Sequence, residues 1–357
     1  MRPRATALLA VPFSALLLAT TGCGAIPEDW RTPAFMQSDE RELDDRLPTV
    51  NGEVGDPPEV SFPDIVPPEE QISGVIEKGE NKGGELVRSD DILLADIVGY
   101  KWTAKGETEQ DQSTYETGTP VLLQMGQLSE EITQALIDQP VGSRVAYVFP
   151  STGSSQSASP SPEPGASVSI VDIHERYGKG DVVPGKQSTN GGDGLPTVTD
   201  TGHDMPEIEI PESDPPEELE TVTLIEGDGP EVTEGQQLVT QYTGVTWNDG
   251  EVFDATWQRG GAPSSFPIGV GQVIPGWDQG LVGANVGSRV MLVIPPDLAY
   301  GEADESSQAS GQPTGTLVFV VDILGAVDSQ PEQTAPPSPS APATPSTDPS
   351  EGQDQQE

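Results

Sequence analysis

The chain has 357 residues, with 59 Asp plus Glu against 16 Lys plus Arg and a formal net charge of −43. Phosphate binding needs clustered cations, so nucleic acid is not expected as a partner. The length suits about two domains of ~150 residues, but 33% hydrophobic residues beside 40 Gly and 36 Pro leave much of it outside a packed core.

A short basic head, Met1-Arg2-Pro3-Arg4, is followed by a mostly apolar run from Ala7 to Ala19 and then by Thr20-Thr21-Gly22-Cys23-Gly24. The run is too short for a membrane span and ends in small residues, so residues 1–22 read as a signal peptide for export. Gly22-Cys23 resembles the cleavage site of bacterial lipoprotein signals, although Thr20 stands where leucine is usual. That resemblance implies a lipid on Cys23 and a protein held at the outer face of the cytoplasmic membrane. An ordinary secretory signal is the competing reading. Cys23 is the single cysteine, so no disulfide can form within the chain.

Residues 23–70 are acidic and Pro-rich and are expected to be a disordered tether carrying the lipid. Apolar content returns over 71–175. Residues 176–216, with Gly191-Gly192-Asp193-Gly194 and Pro215-Pro216, read as a linker. A second domain spans 217–327, and residues 328–357, almost without apolar side chains, are expected to be a disordered tail. The two domains repeat each other. Val141-Gly142-Ser143-Arg144-Val145 is identical to Val286-Gly287-Ser288-Arg289-Val290, and Val171-Asp172-Ile173 to Val321-Asp322-Ile323. Ile76-Glu77-Lys78-Gly79 answers Ile225-Glu226-Gly227-Asp228, and Val98-Gly99-Tyr100-Lys101-Trp102 aligns with Thr243-Gly244-Val245-Thr246-Trp247. Matches in one order at a nearly constant offset define an internal repeat.

Period-2 patterning places Val290, Leu292 and Ile294 on one face of a strand, and Leu317, Phe319, Val321 and Ile323 on one face of another. Both are expected to be half-buried. Asn248-Asp249-Gly250 is a turn signal between strands. Pro275 to Gly283 fits a short helix, with Pro275 in its first turn and Trp277 and Leu281 one turn apart. Each repeat is therefore expected to be an α+β domain, an antiparallel sheet curled around one short helix.

Along the second domain, aromatic residues and one acid recur at strand ends, with no nucleophile or metal ligand among them. The runs are Tyr242-Thr243-Gly244, Gly250-Glu251-Val252-Phe253-Asp254, Val273-Ile274-Pro275-Gly276-Trp277, Pro296-Asp297-Leu298-Ala299-Tyr300-Gly301 and Leu317-Val318-Phe319. Such a set binds an apolar ligand by shape and desolvation. The segment closely resembles an FKBP-type peptidyl-prolyl cis/trans isomerase domain. The resemblance implies that Trp277 is the floor of a proline pocket, with Tyr242, Phe253 and Phe319 as walls and Val273 and Ile274 along one rim. It implies that the Ile274 N–H and the Tyr300 hydroxyl hold substrate carbonyls, and that Asp254 orients Tyr242 beside the twisting amide. Tyr242, Asp254 and Tyr300 are thus the expected catalytic residues. Proline-containing polypeptides are the expected substrates, a macrolide is a further candidate ligand, and no cofactor is called for. The X–Pro barrier of ~18–20 kcal/mol falls when the polar planar amide enters a dry pocket, because the twisted form is the less polar one.

Some positions depart from the family pattern. Ser264 stands where a further aromatic is common, and Phe266, two residues on, is expected to contact substrate instead. Leu298 replaces another frequent aromatic, and the loop from Glu302 to Pro313 is polar and small. The first domain departs further. Ile97 aligns with Tyr242, Ile132 with Trp277 and Ser169 with Phe319, while Glu109 and Gln110 fall near Phe253 and Asp254. It reads as non-catalytic, a spacer or protein-binding surface. His174 and His203 lack a partner His or Cys, so no zinc site is expected. The competing function for the whole chain is a non-catalytic peptide-binding chaperone or interaction module.

Overall fold

The computed structural model describes residues 43–80, 86–150, 165–302 and 312–329. The signal peptide, Cys23, the start of the tether, most of the polar 302–313 loop and nearly all of the tail lie outside the described residues.

The first half begins with a hairpin, β1 (Thr49–Asn51) and β2 (Glu59–Ser61). Six antiparallel strands follow: β3 (Ile72–Glu77), β4 (Ile92–Thr103), β5 (Thr108–Ser113), β6 (Val121–Gln124), β7 (Arg144–Pro150) and β8 (Gly165–Tyr177). Their order is β3-β7-β8-β4-β5, with β6 also on β4. One helical turn, α1 (Thr114–Thr117), and a short helix, α2 (Glu130–Leu136), complete it. The second half has the same plan. A hairpin of β9 (Thr197–Thr199) and β10 (Glu207–Glu209) precedes β11 (Glu220–Ile225), β12 (Gln237–Thr246), β13 (Val252–Ala255), β14 (Ser264–Pro267), α3 (Pro275–Leu281), β15 (Arg289–Ile294) and β16 (Leu317–Val327). The order is β11-β15-β16-β12-β13, with β14 also on β12.

The repeat extends to its irregularities. The register shift at Val239/Thr240 recurs at Leu94/Ala95, that at Gly244/Val245 at Gly99/Tyr100, and that at Thr223/Ile225 at Val75/Glu77. Bulges bend a strand and increase its twist, so equal bulges curve the two sheets alike. In the second sheet α3 lies across β15. A Cβ at Gly276 would come 2.3 Å from Ile294, and one at Gly280 would come 2.6 Å from Leu292, so the helix can approach this closely only as glycine.

Two expectations are corrected here. Part of the predicted tether and part of the predicted linker are folded. Leu47, Val50, Val60 and Phe62 pack under the first sheet against Trp102, Ala146, Val148 and Ile170. Leu195, Val198, Ile208 and Ile210 do the same under the second, against Trp247, Met291, Val293 and Val320. Each hairpin strand carries a single apolar residue between polar ones, too little for periodicity to register. The signal lay in the repeat itself, since Leu47-Pro48-Thr49-Val50 is identical to Leu195-Pro196-Thr197-Val198. As a result β15 and β16 are not half-buried. Val290, Leu292 and Ile294 face the helix side, Met291 and Val293 face the hairpin, and all are fully buried. Strands buried on both faces read as continuous apolar runs.

The identical Val-Gly-Ser-Arg-Val and Val-Asp-Ile motifs encode a buried ion pair. Arg144 Nε and Nη2 donate to Asp172 at 2.6 and 2.5 Å, and Arg289 Nε and Nη2 donate to Asp322 at 2.5 and 2.8 Å. The leftover guanidinium donors latch the hairpins. Arg144 reaches the carbonyls of Gly52, Glu53 and Asp56, and Arg289 reaches Asp200 Oδ1 at 3.2 Å. The repeated serines also match, since Ser143 and Ser288 accept the N–H of Gly79 and Gly227.

Candidate functional site

The helix-side face of the second sheet carries rings set nearly at right angles. Trp277, from the first turn of α3, meets Tyr242 at 5.2 Å and 89°, Phe319 at 5.3 Å and 88°, and Phe266 at 5.6 Å and 83°. Phe253 meets Phe319 at 5.4 Å and 88°. Edge-to-face packing suits the ring quadrupoles. Phe253 and Phe319 close over Gly244, where a Cβ would lie 2.7 Å from either ring, so only glycine fits on this stretch of β12. Val273, Ile274, Phe253 and Phe266 are partly buried against the cluster, whereas Trp277, Tyr242 and Phe319 are within it. Phe266, on β14, thus supplies the aromatic edge that Ser264 lacks.

One side of the cluster is polar. The Tyr242 hydroxyl donates to Asp254 Oδ2 at 2.6 Å. Arg259 Nη1 donates to Asp254 Oδ1 at 2.5 Å, its Nη2 donates to the Tyr242 oxygen at 2.8 Å, and its guanidinium carbon lies 5.3 Å from the Tyr242 ring centre. Ser264 Oγ accepts from the same Nη2 at 3.1 Å. Burial and the Asp254 hydrogen bond push the Tyr242 hydroxyl up to about 12, against the opposing pull of Arg259. It therefore stays a neutral donor at physiological pH. Tyr300 is 45% exposed, and its hydroxyl has no hydrogen-bond partner among the described residues. Burial and the Asp254 charge both raise its pKa. The Ile274 N–H is likewise without an acceptor among the described residues, at the N-cap of α3.

Sequence reasoning missed three supports of this site. Arg259 is a lone cation five residues after Asp254, a spacing that could have flagged it. Thr256 Oγ1 accepts the Tyr242 N–H at 3.1 Å and donates to the Tyr242 carbonyl at 3.2 Å. Asp278 accepts from the Gly269 and Gly271 N–H groups at 2.6 and 2.8 Å, fixing the turn that leads to Val273 and Ile274. The buried Trp277 Nε1 has no partner among the described residues, but Trp102 Nε1 in the first domain has none either, so an unpaired indole does not by itself mark a site.

The first sheet presents other residues at the same positions. Ile97, Leu123 and Ile132 take the places of Tyr242, Phe266 and Trp277, and Ser169 pairs with Gly99 as Phe319 pairs with Gly244. One expected register is corrected. Gln112, not Gln110, pairs with Gly99 and so stands where Asp254 stands, because the turn before β5 shifts the alignment by two residues. His174 Nε2 meets Asp96 Oδ2 at 2.8 Å and His203 Nδ1 meets the Gly180 carbonyl at 3.1 Å.

The second domain thus sets a cluster of perpendicular rings on an antiparallel sheet, edged by a neutral hydroxyl, a carboxylate and a guanidinium. A family model described as FKBP-type peptidyl-prolyl cis-trans isomerase matches residues 229–324. An FK506-binding protein of Streptomyces anulatus is 45% identical over 123 residues, 34% of this chain and 96% of its own. A probable FK506-binding protein of Corynebacterium glutamicum is 39% identical over 123 residues, 34% of this chain and 99% of its own. The crystal structure of AtFKBP13 shares 38% identity over 30% of this chain and 91% of its own, with a TM-score of 0.26. The chain belongs to the FKBP-type peptidyl-prolyl cis-trans isomerases.

Proposed function

We propose that this isomerase acts on X–Pro bonds of exported polypeptides, with the 217–327 domain as its catalytic part. The observation that carries the mechanism is the join between the dry ring cluster and the Tyr242–Asp254–Arg259 network. A prolyl ring seated on Trp277 would bring its amide from water to apolar walls, which costs the planar amide more than the twisted one. The Ile274 N–H and the Tyr300 hydroxyl would hold flanking carbonyls, a reading supported by their having no partner among the described residues. Asp254 fixes the Tyr242 hydroxyl, and Arg259 balances its charge at the pocket edge. No proton transfer is needed, since no bond is made or broken.

Acceleration of a panel of X–Pro peptides by the full chain tests this reading. Trp277→Ala should abolish it and Tyr300→Phe should weaken it. A folded chain that binds the peptides but does not accelerate them would support the peptide-binding chaperone instead. The names of the FK506-binding relatives support a macrolide as competitor for the same pocket.

The proposed place of action rests on the first residues of the sequence. Met1-Arg2-Pro3-Arg4, the apolar run and Gly22-Cys23 support export and lipidation of Cys23 at the outer face of the cytoplasmic membrane. X–Pro isomerisation is slow enough to limit folding there. Cys23→Ala should release the protein from the membrane fraction, and unchanged retention would refute the lipid.

A further inference from the structure

We propose that residues 177–204, which lead out of the first domain, position the Arg259 turn of the isomerase site, and that the first domain contributes to the reaction by holding this stretch. Arg259 is the hinge of the polar network, yet its side chain is 47% exposed. A long side chain in water samples several rotamers, and an exposed ion pair alone holds it weakly. Asp254, Tyr242 and Ser264 converge on one guanidinium only if the backbone of the turn Thr256–Arg259 is fixed. That turn ends in Gly260 and Gly261, with φ of 100° and 84°, so its own sequence is permissive.

The fixing comes from outside the pocket. The Gly180 N–H donates to the Gly261 carbonyl at 3.0 Å, and Gln241 Nε2 donates to the same oxygen at 2.7 Å. Trp257 Nε1, within the turn, donates to the His203 carbonyl at 3.1 Å, and His203 Nδ1 donates to the Gly180 carbonyl at 3.1 Å. The Lys179 side chain lies against Gly261, where a Cβ would sit 3.2 Å from its Cγ. The strap therefore grips both ends of the turn that carries Arg259. It is anchored in turn by an apolar cluster joining the domains. Ile92, Leu94, Leu122 and Tyr177 of the first pack with Val239 and Leu324 of the second. The Tyr177 ring covers Gly325, where a Cβ would be 2.5 Å from its hydroxyl oxygen.

On this account Trp257 and Gly180 are positioning residues acting through Arg259, and a domain without a pocket still serves the pocket next to it. The inference rests on the isomerase reading of that pocket. The test uses the full chain and two variants: Trp257→Phe, which keeps an aromatic side chain but removes the indole donor, and Leu122→Ser, which loosens the docking from the first-domain side. Leu122 lies outside the first domain's central core. Each should lower kcat/KM for an X–Pro peptide about threefold, the weight of one hydrogen bond. Neither should lower it further in an Arg259→Ala background. Equal losses in both backgrounds, or none in either, would overturn the proposal. A merely structural effect would change the melting temperature but not this dependence on Arg259. The Arg259 Nε–H signal by NMR gives a readout apart from activity. It should broaden in both variants, and an unchanged signal would refute the coupling even if the wild-type chain proved inactive and the isomerase reading failed.

Discussion

Phe319 and Ser169 occupy the same register position, opposite Gly244 and Gly99, in strands paired and bulged alike. Across the neighbouring strand the sizes are reversed. Leu292 faces Phe319 in the second domain, and Tyr147 faces Ser169 in the first. Tyr147 is buried and stacks edge-on with Phe149 at 5.0 Å. The first domain thus carries its large ring on β7, within the core beside Ile97 and Ile132, where the second carries Phe319 on β16. One scaffold supports two cores, which differ in which strand carries the large ring at this position and in the exchange of Tyr242 and Trp277 for Ile97 and Ile132.

The shared part is the latch. Arg289→Ala should destabilise the second domain by about 3–5 kcal/mol, because it strands a buried Asp322 carboxylate. Arg144→Ala should cost the first domain a similar amount by stranding Asp172. Denaturant melts of the full chain check both, and a cost confined to one domain would break the equivalence of the repeats. The unshared part is the ring cluster. Phe319→Ser, which copies the first domain's residue, should lower kcat/KM about 100-fold, or about 2.7 kcal/mol of transition-state binding. The reverse change, Ser169→Phe, should destabilise the first domain by about 1–3 kcal/mol through overpacking against Tyr147. It should not create activity.

Smaller changes separate the polar network from the walls. Asp254→Gln, which copies Gln112, should lower kcat about tenfold with little change in KM, since the carboxylate acts on geometry in the transition state. Its effect on stability should be small, because this ion pair is well exposed. The smallest effect is spectroscopic. Tyr242 should ionise at about 12 rather than at its ordinary 10.0. Its raised value means that the hydroxyl donor contributes fully below the ordinary pKa and is lost as pH rises through about 12. Arg259→Ala should push the transition higher still, because Arg259 opposes the rise. Ultraviolet titration of the wild-type chain against a Tyr242→Phe control reads it.

The legible parts of the chain were those with strong local chemistry. Pro275 with Trp277 and Leu281 announced α3, Asn248-Asp249-Gly250 announced the turn before β13, and the repeated Arg and Asp motifs announced a common sheet. The aromatic residues named the cluster because their spacing matched a family pattern. Three things were hidden. The hairpins β1–β2 and β9–β10 carry one apolar residue per strand in acidic, Pro-rich surroundings, so composition read them as tether and linker. Burial of the second face of β15 followed from that omission. Arg259 was marked only by its spacing from Asp254, because its contact with Tyr242 depends on the fold bringing a turn back over that ring.

The central claim is that the second domain alone carries the isomerase pocket, and Trp277→Ile in the full chain tests it most directly. Isoleucine is what the first domain places there, as Ile132, so the substitution removes the large ring at the pocket floor while leaving an apolar side chain. The account predicts that kcat/KM for X–Pro peptides falls to the uncatalysed background while both domains remain folded. Activity retained by a folded Trp277→Ile chain would contradict it, placing catalysis in the first domain or outside the ring cluster.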